Sequence, residues 1–307
     1  MAERVSSQLL CEIDYQPSKG DMAMVLADPV RPFASRCELN HLPAYIRATG
    51  ELRADFQRIG AHTQAMKIFE TGGLRLRCPR VAHGCEGVII NTGGGIAGGD
   101  HATYDFKIGA NAQVTLTTQS AEKVYRAQSN AAVMDVVLHA GEDAEVEWLP
   151  QETILFDGAR LQRRLEVDLH ETSNLTMLES ITYGRIAMGE VKLQGALHDR
   201  WRIRRNQRLL FAEDMRLDGE ITSILDRPAL GNGARASALF LHISPDADGR
   251  LEPVRQVMHD APCEWGASAF NGLLALRLLS PSPEKLRSAI VMLLQNFRGR
   301  NAPRVWQ

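Results

Sequence analysis

The sequence predicts an all-β protein with a solenoid-like arrangement of stacked strands and about two α-helices. Short segments at residues 51–56, 74–77, 103–108 and 165–169 of the 307-residue chain alternate polar and apolar side chains, which is the period of a β-strand. A faint repeat favours stacking, because the turn and strand at residues 109–116 resemble those at residues 141–148.

The repeat has a period of about 30 residues. Val114 and Val146 are 32 residues apart, and Leu175 follows after another 29 residues. Periods of 20–50 residues are typical of coils that each bury a face on the next coil. Three loose copies also occur by coincidence in a strand-rich chain, so the repeat supports a solenoid without requiring one.

The first 45 residues are predicted to form an extension, partly disordered or draped on the surface. Prolines and a glycine interrupt every periodic run in this stretch, at positions Pro17, Gly20, Pro29, Pro32 and Pro43. No low-complexity linker divides the chain after residue 50. We therefore expect one domain over residues 46–307.

The composition is that of an ordinary soluble protein, with 44% hydrophobic and 23% charged residues. The net charge of -2 argues against a general attraction to nucleic acid or to an anionic membrane. The N-terminus lacks the apolar core of a secretory signal, and no apolar run has membrane-spanning length. The five scattered cysteines are an odd number, which favours free thiols and a cytoplasmic location.

A glycine-rich stretch, NTGGGIAGGD at residues 91–100, breaks the chain after an apolar run. Gly93, Gly95 and Gly98 fit the G-x-G-x-x-G dinucleotide fingerprint, which needs a strand before it and a helix after it. The segment that follows alternates as a strand, and no Gly-Lys-Ser/Thr is present. A turn between two strands is the favoured interpretation, and a nucleotide site is the remote alternative.

One helix is predicted near the C-terminus. Ser282 can cap it, Pro283 suits its first position, Glu284 lies in its first turn and Gly299 ends it. Its apolar residues fall on one face, at positions Leu286, Ala289, Ile290, Leu293, Leu294 and Phe297. A second helix is predicted over residues 121–128.

No catalytic motif stands out. The chain has no G-x-S-x-G, and Cys78, His83, Cys85 and His101 do not have the spacing of a zinc knuckle or ribbon. Structural cysteines are the favoured interpretation of that group. From the residues alone, the protein is β-rich and non-catalytic.

Five motifs in order resemble the urease accessory protein UreD family, called UreH in some systems. They are NTGGGIAGGD (91–100), TTQSAEKVYR (117–126), WLPQETILFDGA (148–159), GRIAMGE (184–190) and RGRNAPRVW (298–306). The resemblance covers roughly residues 50–307. It implies a β-solenoid with a couple of helices and a non-enzymatic function.

The resemblance also implies partners. Members of the family bind apo-urease and the accessory protein UreF, which recruits the GTPase UreG, and the assembly delivers Ni²⁺ to the urease active site. Ni²⁺ is then a transient cargo and not a tightly bound cofactor. Carboxylates within or beside the motifs are candidates for weak nickel transit, namely Asp100, Glu152, Asp157, Glu179 and Glu190. The alternatives are turn-forming or edge-bonding roles for these carboxylates, and a scaffold that assembles the complex without carrying metal.

Overall fold

The computed structural model describes residues 47–307, and the extension predicted for residues 1–45 lies outside this part of the chain. The strands are β1 (Thr49–Ile59), β2 (His62–Glu70), β3 (Leu74–Arg77), β4 (Cys85–Asn91), β5 (His101–Ile108), β6 (Gln113–Thr118), β7 (Glu122–Val124), β8 (Ala132–Ala140), β9 (Glu145–Trp148), β10 (Thr153–Leu155), β11 (Ala159–Leu169), β12 (Asn174–Tyr183), β13 (Gln194–Arg205), β14 (Arg208–Glu220), β15 (Ala236–Ile243), β16 (Glu264–Phe270) and β17 (Leu273–Ser280). The helices are α1 (Ile221–Leu225), α2 (Leu251–Met258) and α3 (Pro283–Phe297), with short 3₁₀ turns at Ile186–Met188, Asp248–Arg250 and Arg304–Trp306.

The chain alternates between two sheets. Sheet A has the strand order β14-β13-β11-β8-β5-β1-β2, and sheet B has the order β16-β17-β15-β12-β9-β6-β4-β3. Parallel pairing joins β1, β5, β8, β11 and β13 in sheet A and β4, β6, β9 and β12 in sheet B. Neighbours in each parallel stack belong to successive turns of the chain, so this part of the chain is a β-solenoid of about four turns, as predicted.

The repeat predicted from the sequence corresponds to the pairing register between successive turns of the solenoid. Val114 of β6 pairs with Val146 of β9, and Val146 pairs with Leu175 of β12. All three side chains are buried, because equivalent positions in successive turns face the same interior. The repeat is therefore structural and not a coincidence.

Alternation in the sequence places the core between the sheets. In β5 the inward residues Ala102, Tyr104, Phe106 and Ile108 are buried, while the residues between them are partly exposed or exposed. Antiparallel strands flank the parallel stacks, with β2 beside β1 and β14 beside β13 in sheet A. In sheet B, β15, β17 and β16 extend the sheet beyond β12 by antiparallel pairing.

The predicted C-terminal helix is confirmed as α3. The Ser282 hydroxyl accepts a hydrogen bond from the Lys285 backbone N–H at 3.2 Å, and Gly299 follows the helix with a φ of 61°. The apolar stripe is buried against sheet B and α2, through Leu286, Ala289, Ile290, Leu293 and Leu294. The stripe is therefore core packing within this chain.

The helix predicted over residues 121–128 is wrong. Residues 122–124 form strand β7, which pairs in parallel with β10. Val124 is fully buried and its backbone lies beside Ile96. Pairing with distant segments overrides the local helical preference of this stretch. The second substantial helix is α2, which the sequence patterns did not reveal.

Candidate functional site

Four of the five sequence motifs meet at one corner of the solenoid. We call this region the motif corner and define it as residues 91–100, 122–127, 152–158 and 184–190. Backbone pairing holds it together: Thr153 of β10 pairs with Glu122 of β7 on one side and with Ile181 of β12 on the other. The Gly184 N–H donates to the Leu155 carbonyl at 2.8 Å. Stacked turns thus bring together motifs that are far apart in sequence.

The glycine loop at residues 91–100 is a tight connection between strands, as favoured from the sequence. A Cβ at Gly95 would lie 2.6 Å from the Lys123 carbonyl oxygen, and one at Gly98 would lie 2.5 Å from the Ala127 Cβ. Gly94 has open space around it but a φ of +71°. The loop is followed by β5 and not by a helix, so the arrangement of a dinucleotide-binding turn is not formed here.

A partly buried carboxylate, Glu122, supports the glycine loop. The Asn91 side-chain amide donates to the two carboxylate oxygens of Glu122 at 3.1 and 3.3 Å. Burial raises the pKa of Glu122 to about 7, and the hydrogen bond from Asn91 opposes the rise. Glu122 lies within the second motif, but nothing in the local sequence distinguishes it from an exposed acid.

Aromatic and guanidinium groups line the outer part of the motif corner. The Tyr125 and Phe156 rings meet edge-to-face with centroids 5.1 Å apart, and the Arg185 guanidinium lies 4.2 Å from the Phe156 ring centroid. The Tyr125 hydroxyl donates to the Gly94 carbonyl at 2.9 Å. These contacts link the fourth motif to the third, the third to the second and the second to the first.

An apolar groove of about 340 Å³ separates the fourth motif from helix α3. Its walls include Ile186 and Met188 from the motif and Leu286 and Ile290 from the helix, and Trp306 also lines it. Charged groups at its margin are Glu152, Arg185, Glu284 and Arg287. Met188, which lines the groove, and Val191, three residues further along the chain, are 73% and 64% exposed, which is unusual for large apolar side chains.

The fifth motif, residues 298–306, is fastened to sheet B next to the groove. The Arg298 guanidinium donates to Glu147 at 2.6 Å, and the Trp306 indole N–H donates to the Leu149 carbonyl at 2.9 Å. Burial raises the pKa of Glu147, but the hydrogen bonds and charges of Arg298 and Arg300 hold it below its usual value. The C-terminal segment is thus part of the wall that shapes the groove.

Three of the five predicted nickel-transit carboxylates are bonded to backbone N–H groups. Asp100 accepts from the Ala48 and Ala97 N–H groups at 2.9 and 2.7 Å. Asp157 accepts from the Gln194 N–H at 3.0 Å and pairs with Arg126. Glu190 accepts from the Arg185 N–H at 2.9 Å and pairs with the Arg185 side chain.

The other two carboxylates have less backbone support. Glu152 lies at the groove margin and pairs with Arg287 at 3.2 Å. Glu179 is buried in the solenoid interior, where it pairs with Arg163 and accepts from the Trp148 indole N–H at 2.8 Å. The five carboxylates therefore lie in separate environments. Among residues 47–307, no group of three or more His, Cys, Asp and Glu side chains is placed to hold a metal ion.

The surroundings of Glu179 form a buried ionic cluster. Arg163 is 1% exposed and bonds both to Glu179 and to Asp199, whose Oδ2 lies 2.6 Å from the guanidinium. The Trp201 indole N–H also donates to Asp199 at 3.0 Å. Burial and the charge of Asp199 raise the pKa of Glu179, against the attraction of Arg163. Two carboxylates share one guanidinium, so the fully ionised cluster carries a net negative charge.

A cavity of about 230 Å³ adjoins this cluster, and Glu179, Asp199 and Glu213 all contribute to its lining. The sequence indicated Glu179 because it ends the third repeat strand and lies shortly before the fourth motif. It did not indicate Arg163, Asp199 or Glu213, which come from other turns and become neighbours only in the folded solenoid.

No helix in residues 47–307 has the length and apolar character needed to cross a membrane.

Comparison with known proteins gives a consistent result. A family model described as "UreD urease accessory protein" matches residues 48–307. A urease accessory protein UreD of Beijerinckia indica subsp. indica is 44% identical over 262 residues, which cover 85% of this chain and 97% of the relative. One from Xanthobacter autotrophicus is 45% identical over 260 residues, covering 85% of this chain and 90% of the relative.

Similarity to one relative reaches beyond the family match. A protein named urease accessory protein UreD 3, from Methylorubrum extorquens, is 43% identical over 295 residues, which cover 94% of this chain and 97% of the relative. That share is larger than residues 48–307 provide, so this similarity includes part of the N-terminal extension.

Proposed function

The chain belongs to the UreD family of urease accessory proteins, and from that premise we propose that it binds apo-urease and UreF, and through UreF the GTPase UreG. The family consists of non-catalytic proteins of urease maturation. In the proposed complex this chain assists GTP-dependent nickel insertion in the cytoplasm, with the nucleotide bound by UreG. The observation that carries the proposal is the match of nearly the whole described chain to one family.

The chemistry of Ni²⁺ explains the need for such a helper. Divalent nickel binds nitrogen, oxygen and sulfur ligands tightly, so free ions would be captured by wrong sites. An assembly that passes the ion directly to urease avoids its release. The accessory protein then contributes position and a protected route, and it needs no catalytic residue of its own.

We place the docking site for UreF at the apolar groove beside α3. Met188 is exposed in the groove, Val191 is exposed on the adjoining loop, and charged residues also line the apolar groove. This combination of an apolar centre and a polar margin is typical of protein interfaces. Leu286 and Ile290 of the α3 stripe line the groove but are almost fully buried, so the exposed part of the docking surface is the 184–191 loop.

A pair of substitutions tests the groove. Met188→Asp places a charge at an exposed apolar position and should abolish co-purification with UreF while leaving the melting temperature unchanged. Leu209→Asp on β14, where the side chain is 50% exposed, is the matched control and should retain UreF. Equal recovery of UreF with both variants would reject the groove as the docking site, while the family assignment would stand.

A more specific proposal is that nickel passes through the predicted carboxylates, among which Glu179 has the most support. It belongs to a buried cluster with two carboxylates per guanidinium, and the adjoining cavity is lined by three acidic residues and two arginines, of which Arg277 pairs with Glu213. An excess negative charge in a low-dielectric interior is stabilised by a proton or a cation. Glu152 at the groove margin is the second candidate.

The alternative function is a scaffold that carries no metal. Asp100, Asp157 and Glu190 favour it, because each accepts backbone N–H groups and thereby fixes a turn. In the scaffold account, these carboxylates shape the motif corner for partner binding and Glu179 only neutralises Arg163.

The double variant Asp157→Asn and Glu179→Gln separates the two functions. Both substitutions keep side-chain shape and remove charge. If the carboxylates carry nickel, the variant binds UreF and urease but activates urease poorly at limiting nickel, and excess nickel partly restores activation. Normal activation at limiting nickel would reject transit through these residues. Loss of the complex would instead support the scaffold role.

A further inference from the structure

The β3–β4 hairpin brings two thiols to the same face of sheet B. Cys78 directly follows β3, and Cys85 is the first residue of β4. The last pair of the antiparallel register is Arg77 with Val88, and one further step along the two segments reaches Cys78 and Gly87. Cys85 lies two residues before Gly87 on β4, and residues two apart in a strand share a face. The two cysteines are thus diagonal neighbours across the hairpin.

The end of the loop between the two cysteines is held in a fixed position. Gly84 has a φ of +66°, and a Cβ there would lie 2.8 Å from the Gln113 carbonyl oxygen. The backbone just before Cys85 is therefore held closely against β6. Cys78 is exposed, whereas Cys85 is 8% exposed.

The proximity of the two thiols shifts their pKa values in opposite directions. A hydrogen bond from the Cys85 thiol lowers the pKa of Cys78, because it stabilises the thiolate of Cys78. The same hydrogen bond, together with burial, raises the pKa of Cys85. The half-buried Cys263 is different, since burial raises its pKa. Among the cysteines in the described chain, Cys78 thus combines exposure with a stabilised thiolate, the two properties that make a thiol reactive.

We propose that Cys78 and Cys85 form a hydroperoxide-sensitive dithiol whose oxidation product is an intramolecular disulfide closing the 78–85 loop. Cys78 is the attacking thiol and Cys85 is the resolving thiol.

The chemistry runs in two steps. The Cys78 thiolate attacks one oxygen of hydrogen peroxide, the O–O bond breaks, hydroxide leaves and Cys78 becomes a sulfenic acid. The Cys85 thiol then gives its proton to solvent and attacks the Cys78 sulfur; the S–S bond forms, the S–O bond breaks, and the leaving hydroxide takes a proton from solvent and departs as water. The two thiols together lose two electrons, which the peroxide gains.

The first step prepares the second. The main cause of the raised pKa of Cys85 is its hydrogen bond to the Cys78 thiolate. Conversion of Cys78 to a neutral sulfenic acid removes that thiolate, so Cys85 becomes easier to deprotonate just when it must attack. The disulfide ties the end of β3 to the start of β4.

Peptide mapping tests the proposal on the full chain. The reduced protein is treated with hydrogen peroxide in the presence of a metal chelator, its remaining thiols are alkylated, and tryptic peptides are identified by mass spectrometry. We expect the peptides of residues 78–80 and 81–107 to be recovered joined, with loss of the two thiol hydrogens. Cys263 should remain alkylated, and a thiol reductant should release the joined peptides.

Single variants check the assigned roles. Cys85→Ser should leave Cys78 as a sulfenic acid that dimedone traps, with loss of the joined peptides, and Cys78→Ser should leave Cys85 unoxidised. Both variants should keep the wild-type circular dichroism spectrum. Oxidation of Cys78 and Cys263 at equal rates, or linkage of Cys78 to Cys11 or Cys37 in place of Cys85, would overturn the proposal.

Discussion

Substitution of single glycines in the 91–100 loop should produce a graded loss of stability that follows the local geometry. At Gly98 a Cβ would lie 2.5 Å from both the Ala127 Cβ and the Asn130 carbonyl oxygen, and neither atom can rotate away. Gly98→Ala is therefore an overpacking change and should cost about 1–3 kcal/mol. Gly94→Ala meets no atom but needs a φ of +71°, which should cost about 1–2 kcal/mol.

Gly95 and Gly249 complete the series. Gly95 combines a φ of +149° with a Cβ only 2.6 Å from the Lys123 carbonyl oxygen, so Gly95→Ala should destabilise the protein most. Gly249 has open space and no positive φ, and Gly249→Ala should change stability little or raise it by about 0.4–1 kcal/mol.

Guanidinium chloride unfolding monitored by circular dichroism measures the series. The midpoint should fall in the order Gly249, Gly94, Gly98 and Gly95, with an unchanged denaturant slope. Equal midpoints for Gly98→Ala and Gly249→Ala would refute the close approach. Gly94→Val and Gly98→Val should likewise impair folding or solubility, whereas well-folded variants that selectively lose GTP or NAD binding would show that the loop is a nucleotide site.

Two further predictions concern buried residues. Leu293→Ala in the buried stripe of α3 should lower the free energy of unfolding by about 2–5 kcal/mol. The exposed control Gln295→Ala should leave the melting temperature unchanged. Equal melting temperatures for the two variants would contradict core packing at Leu293. Burial raises the pKa of Glu122 from 4.5 to about 7. Between these two pH values the folded state binds more protons than the unfolded state, so the free energy of unfolding falls as the pH rises from 4.5 to about 7. Glu122→Gln should remove this pH dependence and raise the free energy of unfolding above pH 7 by up to about 3 kcal/mol. The exposed control Glu145→Gln should do neither. Parallel pH profiles of stability for the wild type and Glu122→Gln would contradict the raised pKa.

Much of the fold was predictable because its rules are local. Strands with one buried face alternate in sequence, and β5 and β11 show this pattern clearly. The turn-to-turn register was visible as a 32-residue spacing because Val114 and Val146 occupy equivalent positions. The cap and apolar face of α3 were similarly explicit.

The errors have a physical cause as well. Residues 122–124 become a strand only because β10 and Ile96 supply pairing partners from other turns. The motif corner was accessible through the family motifs, but its contacts were not, since Arg185 and Phe156 meet only after the turns stack. The buried cluster of Arg163, Glu179 and Asp199 joins three strands, and no local pattern marks such a network.

The most direct test of the proposed role in urease maturation is the nickel content of urease made without this chain. Urease is purified from cells that express the complete urease operon and from cells that lack only this gene, and nickel is measured per active site together with activity. We expect urease from the deletion strain to be folded, nickel-poor and inactive, with both properties restored when the full chain is supplied. Equal nickel content and equal activity in the two preparations would contradict an accessory function in nickel insertion.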